Sequence, residues 1–159
     1  MAELSHFNEQ GASRIVDVSG KAVTARTARA SALVRMQPAT LARILDRSLA
    51  KGDVFEVARL SGIMAAKKTG DLIPLCHPLR IDAIEIDFET IDDCMLRVEA
   101  SVKIEARTGV EMEALTAVSI AALTIYDMCK SIDRSMTIDQ VRLEEKTGGR
   151  SDRFQREPK

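Results

Sequence analysis

Aromatic residues and cysteines are scarce in this sequence, and both scarcities restrict what the protein does. Phe, Tyr and Trp make up 3% of the 159 residues, and Trp is absent. Proteins that bind single-stranded nucleic acid stack the bases on aromatic side chains, so this class is disfavoured. The three cysteines, Cys76, Cys94 and Cys129, lie far apart and form no CxxC pair. This pattern predicts neither a zinc site nor a redox motif, and it fits a reducing cytoplasm.

The chain also has no excess of either charge and no long apolar run. Its net charge is −1, so no overall field attracts nucleic acid or an anionic membrane. No apolar run reaches the roughly 18 residues of a membrane-spanning helix, and the N-terminus lacks the apolar stretch of a signal peptide. We therefore expect a cytoplasmic protein with no nucleic-acid partner and no membrane.

Length and patterning predict a single domain over residues 1–159. Residues 1–13 and 147–159 are polar and are predicted to be a flexible lead and tail, which leaves a core of about 14–147. With so few aromatics, this core must be built from Ala, Val, Ile, Leu and Met. Small side chains bury little area per residue, so such a chain gains stability from oligomerisation.

Hydrophobic periodicity predicts an α+β fold, an antiparallel sheet with helices packed on one face. Two of the predicted strands form a hairpin across Asp92 and Asp93, and each has one polar face, which is typical of antiparallel sheets. The predicted elements, in the order β-α-α-β-β-α-β, cover 22–36, 39–49, 54–68, 80–90, 95–105, 110–131 and 136–145.

Several residues are expected to start or stop the helices. Pro38 suits the first turn of a helix, and Asp53 is a suitable N-cap. Gly70 is predicted to end the second helix. The spacing of Thr108 and Glu111 is that of a capping box at the start of the long helix.

The segment Asp71–Leu79 carries one of only two histidines in the chain. Pro74 and Pro78 flank Cys76 and His77, and prolines hold a segment stiff and non-helical. A rigid mount for an imidazole favours a functional site. The alternative is a hydrogen-bonded histidine at the buried start of an edge strand.

The long helix carries charges only near its ends. Glu111 and Glu113 at its start and Lys130 at its end complement the helix dipole. Asp127 does not, because it puts a negative charge at the negative end. An i,i+3 pair with Lys130 is the structural explanation, and a functional carboxylate is the alternative.

The spacing of Glu113 and Asp127 bears on where a site lies. The two residues are about 21 Å apart along a helix axis but only about 40° apart around it. They share a face but cannot meet within one chain. If both serve one site, that site lies between subunits.

A basic residue at a helix start favours an anionic ligand. Lys51 precedes Gly52 and Asp53, where free amides and the helix dipole attract anions, although a solvated loop lysine is the ordinary alternative. No glycine-rich phosphate loop is present, so binding of the ATP type has no support. The basic candidates are Arg26, Arg29, Lys51, Lys67, Lys68 and Lys130.

Five motifs together resemble the cyclic pyranopterin monophosphate synthase family of molybdenum cofactor biosynthesis. They occur in the family's order, and the resemblance extends over about residues 4 to 150. The motifs cover 16–26, 51–55, 65–79, 108–116 and 122–130, including Leu-Ile-Pro-Leu-Cys-His-Pro-Leu and Thr-Ile-Tyr-Asp-Met-Cys-Lys.

The resemblance implies a reaction, a fold and an assembly. The substrate is 3′,8-cyclo-7,8-dihydroguanosine 5′-triphosphate, and a phosphorus–oxygen lyase converts it to cyclic pyranopterin monophosphate and diphosphate. The family needs no metal or organic cofactor for this chemistry. Its fold is ferredoxin-like, and its homohexamer is a trimer of dimers with active sites between subunits.

The resemblance also implies roles for individual residues. The family's catalytic aspartate corresponds to Asp127 and its two functional lysines to Lys51 and Lys130, with His77 orienting or protonating the substrate. A lysine near other cations, or buried, has a lowered pKa, which suits it to proton transfer. The substrate-binding positions are Leu75, Cys76, His77, Glu111, Met112 and Glu113, with Arg26 and Lys67 for the triphosphate.

A non-catalytic hexamer that binds purine nucleotides is the competing hypothesis. Such a protein has no need of paired proton carriers. The set of Lys51, Asp127 and Lys130 therefore favours the enzyme.

Overall fold

A computed structural model shows one five-stranded sheet with helices packed against it. The structure describes residues 6–7, 10–47, 49, 52–149 and 153–157. The elements are β1 Thr24–Arg35, α1 Pro38–Leu45, α2 Val54–Ala66, α3 Thr69–Leu72, β2 Ala83–Thr90, β3 Met95–Ala106, α4 Glu111–Cys129, β4 Thr137–Thr147 and β5 Phe154–Gln155.

The strands lie in the order β2-β3-β1-β4-β5, and all neighbouring pairs are antiparallel. The predicted α+β fold is confirmed. Helical connections follow β1 and β3, and the order of the first four strands is compatible with the ferredoxin-like arrangement. The short β5 pairs with β4 inside the stretch predicted as a tail, and two residues are too few to leave a periodic signal.

The predicted hairpin is confirmed by β2 and β3, which pair from Ala83 with Lys103 to Thr90 with Leu96. In β3 the apolar residues that alternate along the strand are all buried. α4 packs over β1, β3 and β4, and α2 packs against α4 and β2. The buried apolar residues of the central strands are Ala28, Ala30, Ala32, Val34, Leu96, Val98, Ala100, Val102, Ile104 and Ala106.

The predicted helix starts at Pro38 and Asp53 are confirmed. Pro38 is the first residue of α1, and the Asp53 carboxylate accepts hydrogen bonds from the backbone N–H groups of Phe55 and Glu56 at 3.0 and 3.3 Å. The prediction for Gly70 was wrong, because α2 already ends at Ala66 and Gly70 lies within α3.

The predicted capping box was also wrong. Val110 precedes α4, and no side chain caps the helix there. Glu111, which a capping box would turn back toward the helix start, instead pairs with Lys146 at 3.2 Å. The loop before α4 is therefore shaped by contacts with β4 rather than by a local cap.

The helix α4 is the apolar centre of the fold. It is long and apolar enough to cross a membrane by length and composition, with a mean hydropathy of 1.3. Half of it is buried against the sheet and α2, as in the core helix of a soluble protein. The same packing explains why residues 114–126 carry no charge.

Candidate active site

Three segments of the chain enclose a cavity of about 340 Å³. One precedes β1, the second follows α3 and the third leads into α4. Six of the predicted substrate-binding residues line this cavity, although they come from two distant parts of the sequence. Its lining is His6, Val16, Val18, Lys21, Leu75, Cys76, His77, Leu79, Thr108, Gly109, Glu111, Met112 and Glu113.

The segment after α3 is held as a turn at the cavity wall. The backbone N–H of Cys76 donates to the carbonyl of Ile73 at 3.1 Å. A Cβ at Gly70 would lie 3.1 Å from the Cα of Pro78, so a glycine lets α3 approach the turn closely. His77 is half-buried and lies well before β2 begins, so the alternative of a buried strand-start histidine was wrong.

Glu113 is the most deeply buried acid of the cavity, with 3% of its surface exposed. Burial raises the pKa of its carboxyl group, and the negative charge of Glu111 raises it further. Burial, followed by the charge of Glu113, also raises the pKa of the Cys76 thiol. Cys76 therefore stays a thiol, and Glu113 holds a proton more readily than an exposed carboxyl does.

A second cavity of about 200 Å³ adjoins the first and shares Lys21, Thr108, Gly109 and Glu111 with it. Its basic residues are Lys21, Arg26, Arg107 and Lys146. Four cations against one carboxylate make this cleft a favourable place for an anion.

Backbone contacts fix two of these cations. The Nε of Arg26 donates to the carbonyl of Ala106 at 2.9 Å, and its Nη2 donates to the carbonyl of Arg107 at 3.1 Å. The Nε of Arg107 donates to the carbonyl of Lys21 at 3.1 Å. The guanidinium groups are thereby ordered before any ligand arrives, which lowers the entropic cost of binding one.

Lys67 lies apart from Arg26 in the structure. It lines a cavity of about 50 Å³ together with Asp71 and Glu113. This small cavity shares Leu79 and Glu113 with the large one, so Lys67 lies beside the large cavity and does not line the basic cleft.

Asp127 and Lys130 lie at the opposite end of α4 from Glu113. The Nζ of Lys130 donates to the Oδ1 of Asp127 at 2.6 Å, and both side chains are exposed. This hydrogen bond, together with the charge of Asp127, raises the pKa of Lys130. A lowered pKa was expected, and within one chain that expectation was wrong because the nearest charge is an acid. Neither residue lines any of the three cavities.

Lys51 lies outside the described residues. Its neighbours are described: Gly52 has a φ of +96°, and Asp53 caps α2. The predicted residue thus precedes a capped helix start.

One group of potential metal ligands occurs in the described part of the chain. Ligand atoms of Asp92, Asp93 and Cys94 lie within 4.8 Å of one another in the exposed turn between β2 and β3. The Asp92 carboxylate accepts a hydrogen bond from the backbone N–H of Cys94 at 2.9 Å, as turn aspartates commonly do. None of the three lines a cavity of the site.

The sequence analysis missed four titratable side chains of the two large cavities. Lys21 lies in the motif 16–26 and Arg107 directly precedes the motif 108–116, so a search for further cations there finds them. Lys146 lies in β4, well beyond the last motif, and had no such signal. His6 was assigned to a flexible lead, although its being the only other histidine was a signal.

Comparison with known proteins identifies the family. The model of the MoaC family matches residues 15–149. "Cyclic pyranopterin monophosphate synthase 3" of Mycobacterium tuberculosis (strain ATCC 25618 / H37Rv) is 59% identical over 153 residues, which cover 96% of this chain and 86% of the relative. "Cyclic pyranopterin monophosphate synthase" of Desulfitobacterium hafniense is 56% identical over 155 residues, 98% of this chain and 95% of the relative. The chain therefore belongs to the MoaC family.

Proposed function

We propose that this protein is a cyclic pyranopterin monophosphate synthase of molybdenum cofactor biosynthesis. It converts 3′,8-cyclo-7,8-dihydroguanosine 5′-triphosphate to cyclic pyranopterin monophosphate and diphosphate, as a phosphorus–oxygen lyase. The observation that supports this most is the meeting of Leu75–His77 with Glu111–Glu113 in a cavity that opens into a basic cleft. The names of the relatives support the same reaction.

The large cavity suits the guanine-derived ring system. Glu113 accepts N–H bonds from the guanidine-like edge of the ring, and Met112 packs beside it. Leu75 supplies an apolar wall, and His77 orients or protonates the substrate. Cys76, whose raised pKa keeps it neutral, serves as a contact rather than a nucleophile.

The basic cleft suits the triphosphate. Lys21, Arg26, Arg107 and Lys146 neutralise its charge, with Lys67 as a further cation near the ring. A sugar hydroxyl then attacks the α-phosphate, one P–O bond forms as another breaks, and diphosphate leaves. Ordered cations stabilise the charge that develops on the phosphate oxygens.

In this proposal Asp127 and Lys130 come to the cavity from a second copy of the chain and act there, with Lys51, as the proton carriers. The opposite ends of α4 support this arrangement, since its first turn borders the cavity while Asp127 lies about 21 Å further along the axis. When the two copies associate, burial of Lys130 in the interface lowers its pKa toward the range useful for proton transfer.

Exposed apolar side chains offer a surface for that second copy. Along α2, Val57, Leu60 and Met64 project outward at helical spacing, and Leu123 of α4 is half-exposed. Such a stripe indicates an association surface. We propose a homohexamer arranged as a trimer of dimers, in the reducing cytoplasm, which keeps Cys76 a thiol.

Single-turnover assays with the purified protein test the proposed reaction. The wild type is expected to consume the cyclic substrate and release one diphosphate per product, and to leave GTP unchanged. Lys51→Ala and Lys130→Ala are expected to lower the rate at least about a hundredfold, the scale of lost acid–base catalysis. Asp127→Asn is expected to be nearly inactive with unchanged melting, because an exposed ion pair adds little stability.

The matched control is Lys103→Ala, which removes an exposed lysine of β3 that lines no cavity of the site. It is expected to react at the wild-type rate. Binding of the substrate without turnover by the wild type would favour the purine-nucleotide-binding hypothesis, which no present observation favours. Near-normal rates for both lysine variants would overturn their assignment.

A further inference from the structure

The two histidines of the chain are distant in sequence, yet both line the large cavity. His77 belongs to the turn after α3, while His6 belongs to the segment that precedes β1. Val16, Val18 and Lys21 of that segment line the cavity beside His6. The N-terminal segment is thus one of the three walls of the site.

Backbone contacts hold this wall in place. The N–H of Arg14 donates to the carbonyl of His6 at 2.9 Å, and Phe7 and Ser13 form a β-bridge. Nearer to β1, the carbonyl of Lys21 accepts from Arg107. Because the hydrogen bond from Arg14 is accepted by the backbone carbonyl of His6, replacing the His6 side chain leaves that bond intact.

We propose that His6 is a substrate-binding residue of this site, whose imidazole donates an N–H bond to the phosphate chain. This inference rests on the proposed function. Lys21 lines both the ring cavity and the basic cleft, so the wall that carries His6 runs along the boundary at which the ring and phosphates of the substrate meet.

The charges around His6 favour this role. The titratable groups that line the cavity with it are Lys21, Cys76, His77, Glu111 and Glu113. An incoming triphosphate adds several negative charges and many acceptor oxygens. An imidazole always has at least one N–H donor, and its hydrogen bond to an ionised phosphate oxygen is charge-assisted.

Steady-state kinetics of His6→Ala and His6→Gln test the inference. Loss of a charge-assisted contact is expected to raise KM about tenfold, with kcat changed by less than about threefold. Phe7→Ala is the matched control, because Phe7 is exposed, belongs to the same β-bridge and does not line the cavity. It is expected to keep the wild-type KM.

Two results would overturn the inference. One is a wild-type KM in both His6 variants. The other is an equal rise in KM for Phe7→Ala, which would assign the effect to the order of the segment rather than to the imidazole. If the wild type fails to turn over the substrate, the proposed function fails, and calorimetric titration of the same variants with the substrate decides the role of His6 separately. The inference is supported if His6→Ala binds the substrate about tenfold more weakly than the wild type while Phe7→Ala does not. It is overturned if His6→Ala binds the substrate as tightly as the wild type.

Discussion

At the scale of single residues, Glu113 shows a carboxyl group placed where it costs stability. It is buried at the start of α4, and burial raises its pKa. The dipole at the start of a helix compensates part of that cost. A glutamine of the same shape would remove the charge at no cost in packing, so the carboxylate is better explained by substrate binding than by folding.

We predict that Glu113→Gln stabilises the unliganded protein at pH 8 while lowering its activity. A carboxyl whose pKa is raised on folding destabilises the native state as pH rises through its unfolded and then its folded pKa, and leaves it unaffected in acid. The melting temperature is expected to rise by about 2–4 °C at pH 8, the shift for about 1 kcal/mol in a chain of this size, and the gain is expected to vanish toward pH 4.

Thermal melts of Glu113→Gln and of Glu85→Gln, an exposed acid of β2, provide the comparison. The control is expected to show no such dependence on pH. A pH-independent loss of stability in Glu113→Gln would mean that the carboxylate serves the fold.

Sequence alone predicted much of the candidate site because its residues lie in short, dense motifs. Glu111–Glu113 and Leu75–His77 were identified as stretches, and the fold brings them together. His6 and Lys146 were missed because their place in the site depends on tertiary contacts that have no local pattern. The pKa of Lys130 was misjudged for another reason: a lowered pKa requires burial or nearby cations, whereas Lys130 is exposed and hydrogen-bonded to Asp127, the partner that the i,i+3 spacing already indicated.

At the scale of elements, the contact between α2 and α4 depends on Gly62. A Cβ there would lie 2.5 Å from the Cδ1 of Ile86 in β2, 2.9 Å from the carbonyl oxygen of Ala117 and 3.3 Å from the Cβ of Ala121. The side chain of Ile86 can shift, but the Ala117 carbonyl is backbone and cannot rotate away. Small residues on both helices thus allow an approach that larger side chains would prevent.

We predict that Gly62→Ala destabilises the protein by about 1–3 kcal/mol, the usual cost of overpacking a core. The direction of the change in stability is informative, because alanine in a helix is otherwise favoured over glycine by about 1 kcal/mol. Urea unfolding followed by circular dichroism measures the change. Gly20→Ala is the control, since a Cβ there meets nothing within 4 Å. Unchanged or higher stability in Gly62→Ala would show that the helices separate at little cost.

Asp133 joins the end of α4 to the start of α1. It is 2% exposed, and its Oδ2 accepts from the backbone N–H of Gln37 at 2.8 Å and from the hydroxyl of Thr40 at 3.3 Å. Its Oδ1 accepts from the backbone N–H and the hydroxyl of Ser135. These hydrogen bonds lower the pKa of the Asp133 carboxyl below its ordinary value of 3.8, and the bond from the Gln37 backbone N–H has the largest effect.

We predict that Asp133→Asn lowers the free energy of unfolding by about 1–3 kcal/mol at pH 7, because an amide nitrogen then faces donors. A carboxyl with a lowered native pKa stabilises the fold above its unfolded pKa and loses that effect as pH falls through the folded value. The difference in free energy of unfolding between the wild type and Asp133→Asn should therefore narrow below about pH 4. Urea unfolding at several pH values measures it, with the exposed Asp139→Asn as the control. A difference that stays constant with pH would mean that the charge of Asp133 is unimportant.

The elements themselves were largely predictable, because strands and helices leave distinct periods in the sequence. β3 alternates strictly, and α4 is apolar on most sides. Their boundaries were less predictable, since Gly70 was read as a local stop signal while its role is the close approach to Pro78. At the start of α4, Glu111 pairs with Lys146 and no side chain caps the helix, so the capping-box spacing of Thr108 and Glu111 was misleading.

At the scale of the whole molecule, the two halves of the proposed chemistry lie at opposite ends of one helix. Glu113 borders the substrate cavity, and Asp127 pairs with Lys130 at the far end of α4. A rigid helix keeps these ends about 21 Å apart. In the proposed arrangement, one chain provides a binding half-site and a separate catalytic half-site, so a complete site would require two chains.

Complementation between two inactive variants tests this claim most directly. Glu113→Ala and Asp127→Asn are purified separately, mixed, dissociated and reassembled, and turnover of the cyclic substrate is measured. In a mixed dimer one site carries both substitutions and the other carries neither. We predict recovery of activity in about a quarter of all sites for random pairing in a two-fold dimer. Absence of recovery, with subunit exchange demonstrated by mass spectrometry, would mean that each site is built from one chain.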